Sequence, residues 1–263
     1  MNRTDPLGPE FYVPLANAER VTDGAFYLAG IFSIAVLLID RTSQPQVYDA
    51  VQTGFVLLVV AYFAGGLAAR TYFGARAHTS RVADFVSNAF LVPLISKPST
   101  GYYNTAGEDP YRRMGSSLLE NALFTKAIVK SMLAFERFRI AIYMLVWLVA
   151  VLLRSTDLGI VAVAAQVLFS EQLVSRWVRM EWLRGRVETI YNDTYRLFQS
   201  SADTNTREFR ARVVEGVVRY ETSKAQAGLS LSSRKFRKLN SSLSEQWTII
   251  ADQLGIGPVD AGS

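Results

Sequence analysis

Two short connections of this chain hold a single positive charge each, and that placement constrains the fold more than any motif does. Four apolar segments, residues 24–39, 50–69, 138–153 and 158–169, fall into two pairs. The connection inside the first pair (40–49) holds one basic residue, Arg41, and that inside the second (154–157) holds one, Arg154. All the other lysines and arginines, out of 28, lie outside those connections. Lys and Arg accumulate in the cytoplasmic loops of membrane helices. The pattern therefore predicts two helical hairpins with both termini in the cytoplasm.

Segment lengths refine this expectation. Residues 50–69 carry no charge over a length that spans about 30 Å of hydrocarbon at about 1.5 Å per residue. Residues 24–39 are shorter, with Thr22 or Asp23 expected to cap them and Asp40 to close them. Residues 138–153 hold Arg139 near one end, where it must snorkel towards headgroups. Residues 158–169 are the shortest, with Gln166 in their interior. The alternative is a soluble bundle of four buried helices, and the pairing, the charge asymmetry and the long second segment weigh against it. Trp177 and Trp182, among Arg176, Arg179, Arg184 and Arg186, match an aromatic and basic interfacial belt. Small residues at intervals of four (Ala25, Ala29, Ser33; Ala61, Gly65, Ala69) would let helices approach closely. Residues 1–23 carry Asp5, Glu10, Glu19 and Asp23 against Arg3 and Arg20, so the first apolar segment reads as a retained span rather than a cleaved leader.

Outside the apolar pairs the chain is helical and polar. A basic stretch follows residue 70, then a Gly/Pro/Ser/Asn-rich loop near 96–110. From Tyr111 to Arg137 apolar residues recur every three or four positions, and nothing breaks the pattern before the third segment, so one helix from about Pro110 to Leu153 is expected. The fourth segment runs on to about Ser200. In the tail, 204–227 reads as a helix ended by Gly228, and Ser242 to Glu245 forms a capping-box pattern for a last helix closed by Gly255. The expected architecture is an all-α membrane protein with four transmembrane helices in two hairpins and a helical cytosolic region. Its parts are 1–23 (cytosolic), 24–69 (first hairpin), 70–137 (cytosolic loop and amphipathic helix), 138–170 (second hairpin) and 171–263 (cytosolic tail).

Signals for catalysis are poor. There is 1 histidine, His78, and no cysteine, which leaves no thiolate metal site and little for a triad. No P-loop, dinucleotide fingerprint or HExxH occurs. No enzymatic activity, metal or cofactor is expected. Two basic clusters suit anions better. Arg234, Lys235, Arg237 and Lys238 follow Ser230, Ser232 and Ser233, an arrangement that could hold phosphates by guanidinium forks and backbone N–H groups; a solvated basic face or contact with anionic lipid is the plainer reading. Arg112 and Arg113 lie beside Tyr102, Tyr103 and Tyr111, whose rings could stack on a base; a tyrosine-stabilised loop is the plainer reading there. In the fourth segment Ala162, Gln166 and Ser170, with Glu171 at its inner end, form a small and polar stripe. It reads either as the lining of a water-filled path or as a hydrogen-bonded helix contact.

This layout of size, two hairpins and helical cytosolic regions with basic and aromatic residues resembles four-transmembrane effectors of bacterial nucleotide-signalling anti-phage defence systems. Segments such as GYYNT, ENALFTK and KAQAGLSLSSRKFRKLN look signature-like. The resemblance implies a homo-oligomeric pore or membrane-disrupting effector in the bacterial inner membrane. It would be controlled by a nucleotide or oligonucleotide ligand at its cytosolic helices, with a nucleotidyltransferase as functional partner. The competing reading is a non-conducting scaffold that recruits a protein or anionic lipid through its basic face.

Overall fold

The computed structural model describes residues 5–100, 109–152, 159, 161, 162, 165, 171–201 and 203–256. Among the described residues the regular structure is helical and no strand forms. The helices are α1 (Val13–Leu38), α2 (Pro45–Ala68), α3 (Ala75–Phe90), α4 (Pro110–Leu152), α5 (Arg176–Ser200), α6 (Arg207–Ala227) and α7 (Ser233–Gln253). Short π-helical turns lie at Gly8–Tyr12, Ala69–Gly74 and Glu171–Ser175. They divide into two compact units: Met1–Glu10, Arg76–Leu133 and Arg179–Ser263 form one, Phe11–Ala75 and Ala134–Val178 the other.

The second unit is built on an antiparallel hairpin of α1 and α2. A Cβ at Gly65 would stand 2.8 Å from Thr22 Oγ1, the Phe26 and Tyr62 rings lie 5.6 Å apart, and a Cβ at Gly54 would stand 2.6 Å from Phe32. Each step along α1 is matched by a step back along α2, which fixes the register. Gly65 suits this crossing, because a side chain there meets the hydroxyl of Thr22 unless that hydroxyl shifts. Ala25, Ala29 and Ala69 are buried in this seam as their spacing suggests, whereas Ala61 is exposed. Thr22 does not cap the helix. Its hydroxyl donates to the Ala18 carbonyl at 2.9 Å within an α1 that began at Val13, since no breaker interrupts residues 15–38. The turn between the helices is set by Asp40, whose carboxylate accepts from the Thr42 N–H and hydroxyl at 2.9 and 2.7 Å, and Pro45 opens α2 with a backbone already shaped for a helix.

Two helical stretches among the described residues are long and apolar enough to cross a membrane, Gly8–Leu38 and Pro45–Phe90, each with a mean hydropathy of 1.8 over its most apolar window. None of that window in the second is buried and 17% is in the first. The third expected span falls short here because Glu136, Arg137 and Arg139 leave only residues 140–152 of α4 free of charge. Most of the fourth lies outside the described residues.

The first unit is a helical bundle around the first half of α4. Gly115 and Leu118 of α4 meet Val213 and Gly216 of α6, and Thr125 meets Tyr220, so these helices run parallel. α5 runs the other way, with Phe198 against Gly115 and Tyr191 beside Lys126. α7 is antiparallel too: Ser232 lies against Met132, Phe236 against Phe124, and Gly255 against Arg112. Leu118, Leu119, Val129, Leu133, Met180, Leu183, Val187, Ile190, Phe209 and Val213 are almost wholly removed from solvent, and form the core. Gly216 permits the closest crossing, since a Cβ there would stand 2.8 Å from Leu118.

The expected ends of α6 are close: Thr206 accepts from the Phe209 N–H at 3.1 Å, and Gly228 ends the helix at φ 55°. The last helix, however, starts well before Ser242, at Ser233. Ser232 caps it by accepting from the Lys235 N–H at 3.3 Å, and the Ser242 hydroxyl donates to the Leu239 carbonyl mid-helix at 3.0 Å. The earlier cap wins because Phe236 and Leu239 extend the apolar face of Leu243 and Trp247 back towards Ser233.

Candidate functional site

The basic cluster of the tail occupies the first turns of α7. Arg234, Arg237 and Lys238 are exposed, Lys235 is half-buried, and they are held there because Phe236 between them packs on Phe124 at 6.1 Å. No acidic residue occurs between Glu221 and Glu245, and none of the four side chains has an ion-pair partner among the described residues. Cations on the first turn oppose the positive end of the helix dipole, at about 0.3–1 kcal/mol each when solvated. A polyanion placed there would reverse that sign. The arrangement can hold phosphate oxygens or anionic headgroups, and it offers no group for bond chemistry.

Arg112 and Arg113 are used differently. Arg112 Nη2 donates to the Gly255 carbonyl at 2.6 Å, closing the C-terminal end of α7 onto α4. Arg113 forks onto the Ala89 carbonyl through Nε and Nη2 at 2.9 and 2.8 Å, capping α3. Asp109 caps α4 by accepting from the Arg112 N–H at 2.8 Å, and Arg210 lies 5.2 Å from the Tyr111 ring centre and 3.6 Å from Asp109. Tyr102 and Tyr103 lie outside the described residues. The two clusters do not converge: Arg112 sits at one end of α7 and Arg234 at the other, about 30 Å away along the helix. Sequence proximity suggests one stacking pocket, but the carbonyls at two helix ends claim these guanidiniums.

Of the polar stripe, Ala162 is helical and exposed. Glu171 opens the π-helical turn Glu171–Ser175, and Gln166 and Ser170 lie outside the described residues.

Sequence reading missed an ionic cluster in the second unit that joins α1, α4 and the start of α5. Arg139 Nη2 lies 2.6 Å from Glu136 Oε2, and its Nη1 donates to the Tyr27 hydroxyl at 3.1 Å. Arg176 stands 3.8 Å from Glu136 and 3.7 Å from Asp23. Two cations thus balance two carboxylates where apolar helix begins, so Arg139 is held by protein groups instead of reaching alone for headgroups. Only the i,i+3 spacing of Glu136 and Arg139 was visible in the sequence; Asp23 and Arg176 come from helices distant in the chain.

His78 lies half-buried on α3 with Nδ1 3.6 Å from Glu221 Oε2, an oxygen also 3.3 Å from Lys224 Nζ. Burial holds its pKa below the ordinary histidine value of 6.5; the Glu221 charge opposes this and Lys224 adds to it. Among the described residues no group of acidic, histidine or cysteine side chains is placed to hold a metal. An open trough on α2 lined by Asp49, Gln52, Thr53, Val56 and Leu57 follows one helix surface.

No protein-family model, no curated protein and no solved structure matches this chain.

Proposed function

We propose that this protein is a non-enzymatic, homo-oligomeric membrane effector of the bacterial inner membrane, whose apolar hairpins form a pore or disrupt the bilayer under control of a nucleotide-type anion. The observation that carries this reading is the outward apolar surface of the second unit. Leu28, Ile31, Ile34 and Leu37 on α1, Val56, Leu57, Val60, Phe63 and Leu67 on α2, and Ile142, Leu145, Val149 and Leu152 on α4 are all exposed. At about 25 cal/mol per Å² of apolar area, such a surface is costly in water, and lipid or further copies of the chain would cover it. A soluble core helix would be mostly buried instead. In this reading the distal half of α4, with its Arg139 neutralised by Glu136, and residues 158–169 would supply the second hairpin.

Control enters through the acid-free start of α7, which suits a phosphate-rich ligand such as a nucleotide or oligonucleotide supplied by a nucleotidyltransferase. Ligand would bind one state better and shift the population. The α1–α2 hairpin is closed along its seam, so a conducting path needs several subunits, with Gln166 and Ser170 as lining candidates. The same basic face also fits anionic headgroups, which favours as second reading a non-conducting scaffold.

Purified protein in liposomes, assayed for ion flux with a panel of nucleotides and short oligonucleotides, separates the two. The pore reading expects ligand-dependent flux that reversal of all four charges at Arg234, Lys235, Arg237 and Lys238 abolishes. Flux absent in every ligand state refutes it and leaves the scaffold. Gln166→Leu alters conductance only if that stripe lines the path.

A further inference from the structure

Leu91 is the one non-glycine residue among the described ones with a left-handed backbone, at φ 58°. It stands at the end of α3 and begins a loop whose apolar side chains face outward: Leu91 is 74% exposed, Val92 50% and Leu94 54%, next to Phe90, the last residue of α3, which is 38% exposed with its ring edge-on to Tyr111 at 5.8 Å. A leucine in this conformation persists only where its surroundings over-determine it, and here they do. Asp84, fully buried on α3, accepts from the Ser99 N–H and hydroxyl at 2.8 and 2.7 Å, drawing the far end of the loop back onto the helix. Ser87 Oγ accepts from the Leu94 N–H at 3.0 Å, and the Arg113 fork holds the Ala89 carbonyl. Buried polar groups thus fix a loop that presents apolar ones, the reverse of ordinary loop composition.

From this we infer that residues 90–94 form a wedge that inserts into the interfacial layer of an anionic bilayer. The inference rests on the reading of the chain as a membrane protein. Two observations choose lipid over a second copy. The four exposed side chains offer on the order of 400 Å², short of the roughly 600–800 Å² per partner that a stable dimer buries. No acidic residue occurs between Asp84 and Glu108, and Lys97 in the loop is exposed, with only a loose contact of 3.9 Å to the exposed Glu10. Such an apolar tip flanked by a lysine complements an anionic headgroup layer.

The chain has no cysteine, so single sites can be labelled cleanly. Full-length protein carrying Leu91→Cys, Leu67→Cys or Val218→Cys, each with an environment-sensitive dye, is reconstituted in phosphatidylcholine vesicles with increasing phosphatidylglycerol and with shallow spin-labelled lipid as quencher. Expected is quenching at position 91 of roughly half that at position 67 or more, rising with phosphatidylglycerol, while position 218 stays near the unquenched level. Position 91 behaving like position 218 overturns the wedge. A blue shift at 91 that lipid does not quench, and that disappears on dilution with lipid, overturns it in favour of contact between copies. Absent quenching at position 67 refutes the membrane reading itself, so the two failures are distinguishable.

Discussion

Replacing Asp84 by asparagine tests whether a buried carboxylate holds the loop after α3. In the native protein the carboxylate receives two hydrogen bonds from Ser99, at 2.8 and 2.7 Å, and stands 3.6 Å from Arg81 Nη1. Hydrogen bonds to a charged acceptor contribute about 1.5–3 kcal/mol each, and neutral ones about 0.5–1.5. The asparagine amide keeps the geometry of at most one of them and turns its N–H₂ towards either Ser99 or the guanidinium. Arg81 then keeps its ion pair with Asp5, at 2.9 Å, and loses the one with position 84. Two weakened bonds and a less well-paired cation sum to about 2–4 kcal/mol. That is a large share of the ~5–15 kcal/mol that stabilises a typical domain. Hydrogen exchange read by mass spectrometry on peptides covering residues 91–100 measures the local opening, and denaturant unfolding of the detergent-solubilised chain measures the global loss. A double-mutant cycle with Ser99→Ala isolates the hydroxyl contact, with a coupling of about 0.5–3 kcal/mol expected for groups in one network. Unchanged protection at Ser99 together with a loss under about 0.5 kcal/mol would refute the reasoning.

Other consequences follow from the same packing. Gly216→Ala gains helix propensity of about 1 kcal/mol but places a methyl 2.8 Å from Leu118; overpacking of about 1–3 kcal/mol should dominate, giving a lower melting temperature. The hairpin register predicts that paired cysteines at positions 22 and 65, whose Cβ atoms would stand 3.7 Å apart and so within disulfide reach, cross-link on oxidation, while a pair at 22 and 54 does not; gel mobility reads this directly. Because burial lowers the His78 pKa, folding prefers its neutral form. That contribution is present above pH 6.5, the ordinary value, and is lost as pH falls from there through the lowered folded-state value. Melting temperature measured from about pH 7.5 down to about pH 5 should therefore drop more steeply for the wild type than for His78→Gln.

Local chemistry made much of the secondary structure legible. Gly228 ends α6 as expected because a residue tolerant of positive φ satisfies a helix end wherever it occurs, while the start, expected at residue 204, falls at the Thr206 cap. The length of α4 was readable because no breaker interrupts its apolar period. The start of α7 was misplaced because two serine signals compete there, and contact of Phe236 with a ring on another helix decides between them. The fate of Arg112 and Arg113 was likewise invisible, as carbonyls of Ala89 and Gly255 reach them only after the bundle forms. The concentration of charge from Arg234 to Lys238 needed no tertiary information, since no acid occurs between Glu221 and Glu245, but its place on the first turns of a helix did.

Charge and apolar distribution along the chain are thus determined by the sequence alone, for they depend only on which residues stand next to one another. They give an all-α chain with two connections poor in positive charge and apolar segments beside them. Which cations remain open to an anion, which carboxylates are buried, and that Leu91 is turned outward on a pinned loop are decided by tertiary structure. Those outcomes depend on partners distant along the chain, brought within about 3 Å, and no local pattern encodes such distances.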